Sequence, residues 1–125
     1  MSTLLAIGAG DAFGALARFG IYNAVHGALG RDFPYGTLTV NFFGSLAMGF
    51  PYVWLFDRLN MGVGWRAFAL VGFLGSFTTF SAFSMETLNL ILQGALARSM
   101  INIMLSLILC VGVAGMGVWL GRAAA

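Results

Sequence analysis

The chain is 125 residues long, 60% hydrophobic and only 8% charged, with a net charge of +2 and a mean hydropathy of +0.94. A soluble domain carries charge on roughly a quarter of its residues, so the composition excludes a soluble globule and points to an all-α integral membrane protein of one domain, residues 1–125. Six arginines, no lysine, one histidine (His26) and one cysteine (Cys110) lie scattered along it. That set gives no footprint for nucleic acid, no internal disulfide, no metal cluster and no Ser–His–acid constellation, so the chain does not read as an enzyme.

A helix needs about 20 residues to cross the hydrocarbon, and four segments predict one: about 4–25, 36–56, 65–92 and 99–120. The first lacks a basic leader and is interrupted by Asp11, which reads as a retained helix rather than a cleaved signal. It also carries Arg18, about two turns from Asp11 on nearly the same face, too far for the pair to meet directly. The second follows Pro34, contains Pro51 and holds Asn41 in GTLTVNFFGS. That amide suits either a neighbouring helix or a ligand.

The third segment holds GFLGSFTTFSAFSMET, residues 72–87, which lipid alone does not require. Glycine and β-branched threonine are weak helix formers, so GSFTT, residues 75–79, predicts a break near the middle of this helix. Carbonyls freed in mid-membrane must be buried or must coordinate something. Beyond the break, Phe80, Phe83, Ser84 and Thr87 share one helical stripe, with Glu86 at its edge. A packing face with its hydroxyls bonded to the preceding turn explains any single serine there. Aromatic and hydroxyl groups alternating toward an acid favour a polar path.

Four spans put both termini on one side, with Arg58, Arg66 and Arg122 there against Arg31 and Arg98 opposite. Three against two gives almost no orientation preference under the positive-inside rule, which fits insertion both ways and an antiparallel pair. Gly10 and Gly14, Ser45 and Gly49, and Gly117 and Gly121 are small residues spaced for close helix contact. Trp54, Trp65 and Trp119 fall near predicted ends, as interfacial aromatics do.

GTLTVNFFGS, GFLGSFTTFSAFSMET and the first-helix GDAFGALAR together resemble the signature stretches of the CrcB/Fluc fluoride channel family, and the likeness covers nearly the whole chain. The resemblance implies a fluoride-selective channel of the plasma membrane (the inner membrane in a bacterium) that lowers cytoplasmic fluoride by passive efflux. It implies an antiparallel, dual-topology homodimer in the lipid bilayer, with two pores and no protein cofactor. It implies a structural sodium ion on the two-fold axis, held by the backbone carbonyls of Gly75 and Thr78. It places Asn41, Phe80, Ser81, Phe83 and Glu86 along the fluoride path, and Arg18 at its vestibule. Ser84, Thr79 and Ser106 are candidates to carry more of the path, because Ala82, Cys110 and Ala114 stand where the family tends to place hydroxyls.

Two other readings compete. A small multidrug-type proton-coupled exporter would use a first-helix acid, for which Asp11 is the candidate; Arg18 and TTFSAFS argue against it. A non-transporting assembly subunit would explain the glycine spacings but not the polar stripe.

Overall fold

The computed structural model describes residues 2–54 and 62–124. The end of the predicted second helix at Phe56, and Arg58 in the loop after it, lie outside the described residues. Every element among those described is helical: α1 (Ser2–Leu29), α2 (Tyr35–Val53), α3 (Val63–Arg66), a π-helical stretch (Ala67–Leu74), α4 (Gly75–Phe77), α5 (Phe80–Leu92) and α6 (Leu96–Ala123). Three helical runs, 3–29, 63–92 and 96–123, are long and apolar enough to cross a membrane. Helix α2 has 19 residues, with Thr37 and Asn41 one turn apart on one face, and packs along α6.

The first and last helices are longer than the sequence predicts. Residues 26–29 and 96–98 still wind helically, because the stops are glycines with positive φ, Gly30 (87°) and Gly94 (81°). The Gly30 N–H closes on the His26 carbonyl and the Gly94 N–H on the Ile91 carbonyl, as helix ends with a left-handed residue do.

Two glycine seams hold the bundle. A Cβ on Gly10 would strike the Phe68 carbonyl oxygen, one on Gly14 the Phe73 carbonyl, and one on Gly72 the Ile7 carbonyl at 2.6 Å. Helix α1 therefore lies with its backbone against the π-helical stretch. In the second seam Gly49 meets Ala114 backbone, Gly117 meets Leu46 and Phe50 backbone, and Gly121 meets Val53 and Phe50. Without a hydrophobic drive between helices in lipid, such close backbone packing is a main source of association. The spacings at Gly10/Gly14 and Gly117/Gly121, and Gly49 of the third pair, thus mark real contacts.

The predicted break is present and falls at the end of GSFTT, three residues after Gly75. Gly75 is helical (φ −61°, ψ −39°), whereas Thr78 (φ −89°, ψ 155°) and Thr79 (φ −151°, ψ 125°) are extended. The chain departs from helix at the two β-branched residues, whose side chains crowd a helical turn, rather than at the glycine.

Candidate functional site

Asn41 closes the break. Its Nδ2 donates to the Thr79 carbonyl at 3.0 Å, and its Oδ1 accepts from the Thr79 N–H at 2.8 Å. The amide thus pairs with an extended residue as a neighbouring strand would. The backbone N–H at Thr79 fixes which end of the amide is oxygen. In an unbroken helix that N–H would go to the Gly75 carbonyl; Asn41 takes it instead.

The ends on either side of the break are capped locally. The Thr78 hydroxyl and N–H both turn back to the Leu74 carbonyl, at 3.0 and 3.1 Å. The Thr79 hydroxyl accepts from the Ala82 N–H at 3.3 Å, serving as N-cap of α5. Ser81 lies 3.3 Å from the same hydroxyl. Gly44 leaves room for this turn, since a Cβ there would meet Thr78 Cγ2 and the Phe77 ring.

Below the break lies a groove of about 340 Å³ between α2, α5 and α6, lined by Asn41, Thr79, Phe80, Phe83, Ser106 and Cys110 among others. The Phe80 and Phe83 rings are 5.5 Å apart and tilted by 43°. Phe80 is 76% exposed in the single chain, so nothing within one copy explains its size. Ser84 is exposed and bonds back to the Phe80 carbonyl at 3.0 Å, the local habit of serine in apolar helices. Thr87 leaves the predicted stripe: it is buried, and its hydroxyl accepts from Asn102 Nδ2 at 3.0 Å. The stripe and the α5–α6 contact diverge because α5 must also bury a face on α6.

Glu86 sits at the far end of α5. Its Oε1 accepts from the Thr37 hydroxyl at 2.7 Å and from the Tyr22 hydroxyl at 3.4 Å. Glu86, Tyr22 and Arg18 line a cavity of about 260 Å³ with Ala15, Phe19 and Ala82. Two buried polar atoms in this group lack a protein partner, Glu86 Oε2 and Arg18 Nε. Unsatisfied buried atoms of opposite charge in one small cavity call for water or a small ion between them. A second polar cleft of about 340 Å³ opens from Glu86 toward Arg31, Asp32, Gln93 and Arg98.

Asp11 does not approach Arg18 as a partner; it accepts from the Ser76 hydroxyl at 2.6 Å, tying α1 to the turn before the break. Gly75, Thr78 and Ser76 thus lie together at the break, while Asn41, Phe80, Phe83 and Ser106 meet in the groove and Arg18 and Glu86 in the cavity beyond. Tyr22, His26 and Thr37 complete the polar end and were not picked out from the sequence. The spacing of Tyr22 and His26, four apart on α1 with ring centroids 4.4 Å apart, is the signal that was there to read.

The chain matches the sequence profile of the CrcB-like protein family, described as Camphor Resistance (CrcB), over residues 5–118. It is 48% identical over 120 residues to a "Fluoride-specific ion channel FluC" of Methylococcus capsulatus, covering 96% of this chain and 53% of that protein. This chain therefore spans about half the length of that relative. It is 43% identical to proteins of the same name in Hydrogenovibrio crunogenus, over 95% of this chain and 90% of the relative, and in Coxiella burnetii, over 95% and 97%. With an all-helical bundle, three runs able to span a membrane, and a match across almost its full length, the chain is a multi-pass membrane protein belonging to the CrcB family.

Proposed function

We propose that this protein is a fluoride-selective channel through which fluoride leaves the cell passively, acting as two antiparallel copies with two pores. The observation that carries the reading is the 43% identity, over 95% of this chain and 90% of its relative, to a protein named as a fluoride-specific channel. The groove geometry supports it.

Fluoride is small and strongly hydrated, so a path must replace its water at each step. The Asn41 amide has two N–H groups; one holds Thr79, and the other remains for an ion. Phe80 and Phe83 line the groove, and the edge of a phenyl ring is weakly positive. The hydroxyls of Ser81, Thr79 and Ser106 supply donors that reorient without charge. Glu86, held by Thr37 and Tyr22, and Arg18 across the cavity bound the polar end. A dry, narrow path with few donors favours the small anion over chloride.

The pairing of copies is supported by what a single chain leaves uncovered. Phe80 is exposed, Asp11 is exposed in a membrane-spanning run, and the Gly75 side is open, with only the Leu70 carbonyl within 4 Å of an added Cβ. The donor set at the break also fits a structural sodium ion. The Gly75 carbonyl has lost its helical donor to Asn41, and carbonyl oxygen is a hard ligand suited to such an ion. Gly75 and Thr78 of each copy would hold it. When bound, sodium would supply positive potential at the centre of the pair.

Fluoride efflux from liposomes holding the purified protein tests the channel reading, with chloride as control. Flux of fluoride well above chloride is expected. No fluoride flux, or equal chloride flux, overturns it.

A further inference from the structure

His26 is 6% exposed, and both its ring nitrogens are engaged. Nε2 accepts from the Gly36 N–H at 3.2 Å, which requires Nε2 to be unprotonated and places the ring hydrogen on Nδ1. Nδ1 then donates to the Gly30 carbonyl at 2.9 Å. One side chain thus joins the last turn of α1, the connecting loop and the first turn of α2. A Cβ on Gly36 would lie 2.7 Å from both the His26 and the Tyr22 ring, so the two rings clamp this glycine.

The residues flanking the clamp reach Glu86. Thr37 follows Gly36 and donates to Glu86 Oε1; Tyr22, packed on His26, donates to the same oxygen. His26, Gly36, Thr37, Glu86 and Tyr22 therefore form a closed ring of contacts. We propose that His26 is a positioning residue for the Glu86 carboxylate, and that its neutral form holds the α2 N-terminus where the polar end of the path is intact. The proposal rests on the channel reading for its link to ion flow.

Protonation of His26 puts a hydrogen on Nε2, which can no longer accept from Gly36. The Gly36 N–H is then left unpaired in a buried place, and the first turn of α2 must shift, moving Thr37 with it. The charged groups lining the cleft with the ring are Glu86 from α5, Arg31 of the loop and Arg98 of α6. Asp32 of the loop lines the same cleft, and the Tyr22 ring lies tilted against the imidazole, at 55°. Histidine is the common side-chain proton switch, and here a proton and the Gly36 N–H compete for one atom, Nε2.

The test is fluoride flux into or out of liposomes as a function of pH for the wild type, His26→Gln and His26→Ala, with empty liposomes correcting for passage of the neutral acid. Glutamine offers an oxygen where Nε2 stands and does not titrate in this range. Wild-type flux should fall as pH is lowered, approaching about tenfold per unit once most of the imidazole is charged. The glutamine variant should match the wild type at high pH and stay flat; the alanine variant should be low throughout. In the wild type, the Gly36 and Thr37 amide resonances should move together with the His26 ring, a measurement that needs no variant to fold. Identical pH profiles for wild type and His26→Gln, or amides that stay still while the ring titrates, overturn the latch alone. Absence of wild-type flux at every pH overturns the channel reading and the latch's part in it together.

Discussion

Asn41 commits both ends of its amide to one backbone residue. Replacing it by alanine would orphan the Thr79 N–H and carbonyl together, each worth about 1–3 kcal/mol when buried and unpaired. Asn41→Ala should therefore lower the thermal melting point in detergent markedly as well as abolish flux. Asn41→Asp keeps the acceptor for the Thr79 N–H but loses the donor, so its stability should fall between the two. Phe80 gives the opposite pattern. It is largely exposed in one chain, so Phe80→Ile should change the folding of a single copy by under about 1 kcal/mol. Its fluoride flux should nevertheless drop strongly. Unchanged flux in both Phe80→Ile and Phe83→Ile would remove the aromatic rings from the path.

At the scale of helices, the glycines separate into those that touch a neighbour and those that do not. Gly10 and Gly72 are pressed against backbone, whereas nothing lies within 4 Å of an added Cβ at Gly8. Gly8→Ala should thus be neutral or stabilise by up to about 1 kcal/mol, the helix preference of alanine over glycine. Gly10→Ala should destabilise by about 1–3 kcal/mol, because neighbouring backbone cannot yield as a side chain can. Thermal unfolding of the two variants side by side checks this contrast. Much of this level was legible in the sequence: three of the four apolar runs, the GxxxG-type spacings and a broken third helix. Which residues within GSFTT leave the helix was not, because Thr79 is held extended by Asn41, 38 residues away along the chain. The polar end was legible only in Glu86 and in the four-residue spacing of Tyr22 and His26, since these residues and Thr37 come from three helices. Sequence spacing reports one face of one helix; it does not report which faces meet.

For the molecule as a whole, Gly75 separates what one copy needs from what a pair needs. Its backbone is ordinary helix and its Cβ direction is open, so Gly75→Val should leave the fold of a single chain intact. In a pair that brings the two breaks together, the same change should block association, seen as loss of the dimer in cross-linking while the monomer still melts cooperatively. A dimer that persists would remove Gly75 from the contact between copies. Orientation belongs to this scale too. Neutralising Arg58 and Arg66 shifts the arginine count from three against two to one against two, and a tag reporter should show a changed mixture of orientations. A wild-type protein found in one orientation only would remove the antiparallel arrangement.

The reciprocal bonds between Asn41 and Thr79 also bear on how the protein behaves in time. A hinge needs slack, and a residue whose N–H and carbonyl are both taken by a neighbouring helix has little. Rewinding 78–79 into continuous helix would give up two hydrogen bonds at once and pull Asn41 away from its partner. The break therefore works as a fixed corner rather than a gate. Single-channel records should show long, uninterrupted open dwells with no dependence on voltage polarity. Any control exerted on the open path would then act at the polar end around Glu86, or through how much of the protein is made, and not at the break.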